Sequence, residues 1–193
     1  MTRAAIGDDT VVADARPTSP SIPEQSMNTT MSRNTYVLTT LIAAVTAAGA
    51  AAISLSLALP VWAMFIGWIA FYTRGLTLRA AIENLACVGA GLVLGLMATL
   101  GLQALSGATT PAVALPIIVF CVAILVVSLR GLPVMSNLLG YFLGLVAWFA
   151  AHLEPSLESV GKLFGAGTVG TTAGLVSHTL ASRFSRTTAS TAH

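Results

Sequence analysis

Long apolar runs separated by short polar stretches extend from about residue 36 to residue 182. The runs are continuous rather than alternating in polarity, which favours helices over the strands of a transmembrane barrel. They predict six helices, at about 36–57, 60–72, 79–105, 111–128, 133–151 and 160–180. Because about 20 apolar residues suffice to cross the hydrocarbon core, the pattern predicts an all-α integral membrane protein with six transmembrane helices.

The two ends of the chain differ in composition from this region. Residues 1–34 are rich in Asp, Ser, Thr and Pro and cannot bury much apolar surface, so a disordered N-terminal tail is predicted. Residues 183–193 are rich in Ser, Thr and Ala and are predicted to form a flexible C-terminal tail. The six-helix membrane domain is thus expected at 35–182.

The second predicted helix is short for a membrane span. From Pro60 to Tyr72, its apolar part covers about 18 Å of a hydrocarbon core about 30 Å thick. Three arrangements remain open: the helix extends through Thr73 and Arg74, the bilayer is thinner there, or the helix is buried among its neighbours.

Two segments share one pattern: Leu-Pro-Val, five residues, then Gly and an aromatic residue, at 59–68 and 132–141. Predicted helices 2 and 5 therefore both start at a proline, Pro60 and Pro133, and proline is favoured in a first turn. Gly-Ala-Gly also occurs in both halves, at 89–91 and 165–167. The alternative is a chance match between common residues.

These matches predict two repeats, about 35–106 and 107–182. Each repeat has three helices, and because three is odd the repeats are inverted with respect to each other. Inverted repeats are a recurring plan of channels and secondary transporters, with the path between the halves. The prediction is thus two inverted three-helix repeats within one bundle.

The basic residues indicate the orientation. With six spans and a cytoplasmic N-terminus, the arginines flank cytoplasmic ends and Lys162 alone lies outside. These arginines are Arg33, Arg74, Arg79, Arg130, Arg183 and Arg186. Both termini are therefore predicted to be cytoplasmic.

Composition narrows the function classes. The net charge of +2 and the absence of a basic cluster argue against nucleic-acid binding. Cys87 and Cys121 lie in separate apolar runs, and no metal-ligand spacing, nucleophile–base pair or nucleotide motif is present. The sequence therefore predicts no enzyme, no metal and no cofactor.

Polar residues and glycines within the predicted spans suggest a solute path. Its predicted residues are Trp68, Tyr141, Asn84, Asn137, Gly91 and Gly167. Asn137 has an alternative role as a hydrogen-bond partner of a neighbouring helix, and the glycines as sites of close helix packing. Glu83 and His178 are candidates for proton coupling, whereas an ion pair with Arg79 is the alternative for Glu83.

The element Pro60-Val61-Trp62-Ala63-Met64-Phe65-Ile66-Gly67 resembles the YcdZ-like family of small bacterial inner-membrane proteins, whose function is unassigned. The resemblance covers about residues 36–182, and the second half departs from it at Asn137 and Leu138. It implies a multi-pass protein of the bacterial inner membrane and supplies neither a substrate nor site residues.

Three functions follow from the pattern. The leading expectation is a channel or facilitator for a small neutral or weakly charged solute of the urea, amide, ammonia or small-acid class. The alternatives are a proton-coupled small-solute transporter and a non-transporting oligomeric membrane scaffold. In each case the expected partners are the lipid bilayer and further copies of the chain, because one small bundle encloses little volume.

Overall fold

Six helices make up the described part of the chain. The computed structural model describes residues 33–129 and 131–190, apart from the side chains at 34 and 186–190. In chain order the helices are α1 (Arg33–Ser56), α2 (Val61–Thr73), α3 (Leu78–Leu105), α4 (Pro111–Leu129), α5 (Leu138–Ala151) and α6 (Leu157–Ser190). No strand occurs in these ranges, so the prediction of an all-helical protein is confirmed.

Three of these helices have the length and composition needed to cross a membrane: Thr35–Ser56 within α1, α3 and α4. Helices α2 and α5 are apolar but have only 13 and 14 residues, which makes each about 20 Å long. Helix α6 has 34 residues, but its many Gly, Thr and Ser residues lower its hydropathy. The long apolar helices indicate a membrane-embedded protein.

Helix α5 begins later than the sequence pattern predicts. It starts at Leu138, with Asn137 as its N-cap, so the predicted start at Pro133 is wrong. The Asn137 side-chain oxygen accepts a hydrogen bond from the backbone N–H of Gly140 at 3.2 Å. This bond satisfies an amide that would otherwise lack a partner in the first turn. Helix α2, by contrast, starts directly after Pro60.

Two other helix ends also differ from the predictions. Helix α6 extends to Ser190, so residues 183–190 of the predicted flexible tail are helical. Helix α2 ends at Thr73, and Arg74 has an extended backbone with φ −158° and ψ 102°. The short helix therefore does not continue through Arg74. Residues 33 and 34 belong to α1, and the rest of the predicted N-terminal tail lies outside the described residues.

The helices pack as two groups of three. Helix α6 lies against α1 and α2, whereas α3 lies against α4 and α5. We name these sets the α6 group (α1, α2, α6) and the α3 group (α3, α4, α5). The groups meet where α2 and α6 contact α3 and α5, while α1 and α4 contact only members of their own group.

Glycines bring α2 and α6 into direct backbone contact. A methyl group at Gly67 would overlap the carbonyl group of Gly167, and one at Gly170 would overlap the carbonyl oxygen of Met64. Glycine faces allow such close approach in lipid, where burying larger apolar side chains brings no hydrophobic gain.

The contact between α3 and α5 is built in the same way. A methyl group at Gly144 would overlap the carbonyl oxygen of Val88, and one at Gly91 would overlap the carbonyl oxygen of Tyr141. The predicted use of glycines for tight helix packing is thus confirmed at these crossings. Gly161 differs, because a methyl group there would have no neighbour within 4 Å.

One ring packs beyond each crossing. A methyl group at Gly174 of α6 would lie 3.1 Å from the Phe71 ring of α2, and one at Gly95 of α3 would lie 2.6 Å from the Trp148 ring of α5. In both helix pairs the ring contact lies further along both helices than the crossing does. Helices α2 and α6 are therefore parallel, as are α3 and α5.

An apolar cluster fills the interface between the two groups. Its buried residues are Ala50, Ala63, Met64, Leu92, Leu96, Ala147, Trp148, Leu163 and Ala166. They come from α1, α2 and α6 of one group and from α3 and α5 of the other. Apolar side chains therefore occupy most of the surface along which the groups meet.

Candidate functional site

Asn84 and Asn137, two of the predicted path residues, lie next to each other. Asn84 is in the second turn of α3, and Asn137 caps the start of α5. Their side chains are only 1% and 7% exposed. The Nδ2 atom of Asn137 donates a hydrogen bond to Oδ1 of Asn84 at 2.8 Å. They meet because α3 and α5 are parallel and start at the same end of the bundle.

Both asparagines also bind the end of α2 in the α6 group. Asn137 Nδ2 donates to Thr73 Oγ1 at 2.6 Å, and Asn84 Nδ2 donates to the carbonyl oxygen of Arg74 at 3.1 Å. The Arg74 guanidinium in turn donates to the Ser136 hydroxyl. Among hydrogen bonds with both partners in the described ranges, these three are the side-chain bonds that join the groups.

We name these five residues, Asn84, Asn137, Thr73, Arg74 and Ser136, the asparagine cluster, and its side of the bundle the asparagine end. Every side-chain nitrogen and oxygen of Asn84 and Asn137 has a partner, as buried polar groups require. In this conformation the two amides connect helices, which is the alternative role considered for Asn137.

Glu83 lies beside the cluster and is paired with Arg79. Arg79 Nε donates to Glu83 Oε1 at 2.8 Å, and the Glu83 side chain is 18% exposed. This is the ion pair considered above as the alternative to proton coupling. Both residues line an open surface cleft of about 590 Å³, together with Leu78, Ile82 and Val134.

Trp68 and Tyr141 are not brought together with the asparagines. Tyr141 is fully buried in the α3 group, in a cluster with Cys87 and Leu145. Its hydroxyl donates to the carbonyl oxygen of Met135 at 3.1 Å. Trp68 is half-buried on α2. Of the four predicted path side chains, the structure therefore joins only Asn84 and Asn137.

Gly91 and Gly167 lie at the two backbone crossings, where adjacent helices leave no room for a side chain at Gly91. Gly91 lies against the backbone of α5, and the backbone of Gly167 lies against Gly67 of α2, whereas a methyl group at Gly167 would lie 3.8 Å from the Leu85 side chain of α3. His178, the second candidate for proton coupling, is half-buried in the α6 group. Its ring centroid lies 6.2 Å from that of Phe71, so it is a packing partner within its own group.

At the opposite end of the bundle, polar contacts occur within the α5–α6 connection and the first turns of α6. Ser159 Oγ donates to the carbonyl oxygen of Glu154 at 2.8 Å. Lys162 Nζ lies 2.7 Å from Glu158 Oε1, and this ammonium lowers the pKa of the Glu158 carboxyl. Between the helix groups this end is apolar, with Leu163 in the interface cluster.

In the described part of the chain, neither of two apolar crevices nor any group of metal-binding side chains lies at the predicted path residues. Two apolar crevices of about 440 and 420 Å³ lie within the α3 group and between α1 and α6, and none of the predicted path residues lines them. Within the described residues, no set of three or more His, Cys, Asp or Glu side chains could hold a metal ion.

Sequence reasoning did not identify Thr73, Arg74 or Ser136 as site residues. A signal was present, because Thr73 and Arg74 lie at the end of a helix that is shorter than the hydrocarbon core, and Ser136 adjoins Asn137. Polar residues at such a break need partners within the protein. What the sequence does not contain is the pairing, because Thr73 and Asn137 are 64 residues apart.

Comparisons with known proteins give a family and no function. No curated protein and no solved structure matches the chain. One family's sequence model matches residues 40–182, which include α2 to α5 and most of α1 and α6. The chain therefore belongs to the family described as protein of unknown function (DUF1097).

Proposed function

We propose that the chain is a membrane facilitator for a small neutral or weakly charged solute, of the urea, amide, ammonia or small-acid class. One observation carries the proposal. The pattern of helix contacts is unchanged when α1, α2 and α3 are exchanged for α4, α5 and α6. The packing of α2 on α6 corresponds to that of α5 on α3, and α1 on α6 corresponds to α4 on α3.

The glycine contacts support the same two repeats residue by residue. Gly67 meets a carbonyl of α6 as Gly144 meets a carbonyl of α3, and Gly170 meets α2 as Gly91 meets α5. Gly67 thus corresponds to Gly144, whereas the sequence match aligns it with Gly140. The difference of four residues is about one helical turn. The proposed alignment of the two repeats is therefore shifted by four residues from the one that the Leu-Pro-Val match gives.

The second helix of each proposed repeat is shorter than the hydrocarbon core, so it crosses only where the bilayer is thinned or where neighbouring helices cover its ends. Helices α2 and α5 occupy corresponding positions and have 13 and 14 residues. Paired short segments in corresponding positions of two inverted halves are a pointer to the binding site of a transporter. The C-terminal end of α2 and the N-terminal end of α5 are polar, and both lie at the asparagine cluster. We therefore propose the interface between the helix groups as the solute path.

We place the protein in the bacterial inner membrane with six spans and both termini cytoplasmic. Arg74 and Arg79 lie at the asparagine end, which the positive-inside rule assigns to the cytoplasm. The resemblance to YcdZ-like proteins favours the same membrane. In this proposal α6 spans in spite of its lower hydropathy, because α1 and α2 cover its glycine-rich face.

A scaffold without transport is the second candidate, favoured by the apolar cluster that fills the interface. In the facilitator proposal this filled interface is a closed conformation. Further copies of the chain are the proposed partners in both cases, since α4 presents most of its apolar surface outwards. A proton-coupled transporter is the third candidate and requires Glu83 to leave its pair with Arg79.

Stopped-flow light scattering on proteoliposomes tests the proposal, with urea, acetamide, ammonia, glycerol and formate as solutes. We expect protein-containing vesicles to equilibrate faster than empty vesicles for at least one solute. We expect Asn84→Ala to change that rate, whereas Ile69→Ala, on the exposed side of α2, leaves it unchanged. Gly91 is unsuitable for a blocking substitution, because a larger residue there would separate α3 from α5.

The outcomes separate the three candidates. No acceleration for any solute, with correctly folded protein in the vesicles, would overturn the facilitator proposal and favour the scaffold. Acceleration that requires a pH gradient, and that is lost in Glu83→Gln, would instead establish proton coupling.

A further inference from the structure

The interface between the α6 group and the α3 group has two chemically different ends. At the asparagine end, Asn84 and Asn137 are hydrogen-bonded to Thr73 and to the backbone of Arg74. At the opposite end, Leu163 of the α6 group belongs to the same apolar cluster as residues of the α3 group. One end is therefore closed by a few hydrogen bonds and the other by apolar packing.

The difference occurs at corresponding positions of the two proposed repeats. Gly91 of the first proposed repeat corresponds to Gly170 of the second. The residue seven positions before Gly91 is Asn84, and the residue seven positions before Gly170 is Leu163. Gly144 of the second repeat corresponds to Gly67 of the first. Asn137 lies seven positions before Gly144, and Pro60 lies seven positions before Gly67. The repeats thus share their backbone crossings but not the chemistry of their ends.

The asparagine end also contains irregular backbone, in the two connections that carry some of the cluster residues. Residues 131–137 form no helix, and hydrogen bonds at Ser136 and Asn137 join this segment to Arg74 and Thr73. Across from it, Gly75 has a left-handed backbone with φ +72° in the short α2–α3 connection. Backbone outside helices and held by few contacts opens at low free-energy cost.

Opening the two ends would cost different amounts. Water can replace the partners of Asn84, Asn137 and Thr73, because hydrogen bonds exchanged with water contribute little net free energy. Exposing Leu163 and its apolar neighbours has no such compensation. The hydrogen-bonded end is therefore the easier one to separate.

We infer that the asparagine cluster is a latch, and that the two helix groups separate first at the asparagine end. The inference rests on the proposed function, because it assigns the entrance of the solute path to this end. Breaking the latch admits water between α2 and α3 while the apolar end stays closed.

Cysteine accessibility tests the latch without any solute. The background carries Cys87→Ala and Cys121→Ala, so that it has no native thiol. In it, Leu92→Cys places a thiol in the middle of the interface cluster, and Leu163→Cys places one at the apolar end of that cluster. Both positions are buried, because Leu92 and Leu163 are 0% and 2% exposed. Each protein, in detergent, reacts with a water-soluble maleimide. We expect Asn137→Ala to raise the reaction rate at the Leu92→Cys thiol about tenfold, because it removes the bond to Thr73 across the groups and leaves Asn84 Oδ1 without its partner.

The Leu163→Cys thiol is the matched control and should change less than twofold. Thr73→Val is the second latch variant, since it removes one bond across the groups and leaves the cap of α5 intact. An unchanged rate at the Leu92→Cys thiol in both variants, or equal increases at both thiols in both variants, would overturn the inference.

The same proteins distinguish failure of the latch from failure of the proposed function. Selective labelling at the Leu92→Cys position without accelerated flux of any solute would retain the latch and overturn the facilitator proposal. Accelerated flux with unchanged labelling would overturn the latch and leave the facilitator proposal in place.

Discussion

Single glycines determine how closely the helices of each group pack. At Gly144 the nearest atoms to an added methyl group are backbone atoms of Val88, Leu92 and Gly91. Backbone atoms cannot rotate away as a side chain can, so the helices themselves must move apart. The sequence spacing of glycines indicates such sites, but only the structure separates the crowded positions from the open ones.

Gly144→Ala should therefore destabilise the protein, by about 1–3 kcal/mol if it behaves as other overpacked sites do. Gly161→Ala is the control, since that position is open, and it should be neutral or gain up to about 1 kcal/mol from helix propensity. Thermal unfolding of both variants in one detergent measures the difference. Equal midpoints would contradict the backbone crossing of α3 and α5.

Trp148 gives a prediction about a hydrogen bond within the α3 group. Its Nε1 donates to Thr99 Oγ1 at 2.9 Å, while its ring packs on Gly95. The corresponding residue of the other proposed repeat is Phe71, which packs on Gly174 without an N–H group. Trp148→Phe should therefore cost only about 1 kcal/mol, whereas Trp148→Ala should cost about 3–5 kcal/mol.

Thermal unfolding of Trp148→Phe, Thr99→Val and the double variant isolates this bond. The double variant should be more stable than the sum of the single effects predicts, because both partners are then apolar. Additive effects would show that the bond contributes nothing measurable.

For the individual helices, the sequence predicts that a helix is present more accurately than it predicts the residues at which the helix begins and ends. The apolar runs indicate all six helices, since their length and continuity are local properties. The start of α5 depends on Asn137, which is positioned by Thr73 and Asn84 from other helices. The sequence pattern predicts the end of α6 too early, because Thr and Ser after Leu180 lower the hydropathy without preventing a helix.

This account of α5 predicts different effects for two neighbouring substitutions. Asn137→Ala removes the bond to the backbone N–H of Gly140, and loss of such a cap costs about 0.5–2 kcal/mol. Pro133→Ala alters a residue five positions before the helix and should leave α5 unchanged. Hydrogen exchange at the Gly140 amide should accelerate only in Asn137→Ala; acceleration in Pro133→Ala would restore the predicted proline start.

For the whole molecule, the sequence indicates which polar residues within the helices are unusual, but it does not indicate which partners they bind. Asn84 and Asn137 stand out because polar groups are rare in these apolar runs. Their bonds to Thr73 and Arg74 follow from the packing of α2 against the α3 group. Likewise, the Leu-Pro-Val match aligns Gly67 with Gly140, because common residues recur by chance, whereas the backbone crossings favour Gly144.

Charge and connectivity together predict the orientation of the whole bundle. The hydrogen bond from Arg74 to Ser136 places the α2–α3 and α4–α5 connections at the same end. Arginine near that end favours the cytoplasmic side. Leu76, in the α2–α3 connection, and Leu157, at the start of α6, are 41% and 78% exposed. The two positions should therefore be accessible from opposite sides of the membrane.

In the background without native cysteines, a membrane-impermeant maleimide should modify Leu157→Cys in intact cells and Leu76→Cys only after the membrane is permeabilised. The reason is that moving the arginine-bearing end across the membrane opposes the strong preference of basic residues for the cytoplasm. The reverse labelling pattern would invert the orientation. Labelling of both positions in intact cells would mean that the chain inserts in both directions, in which case either face of the bundle could present the asparagine cluster to the cytoplasm.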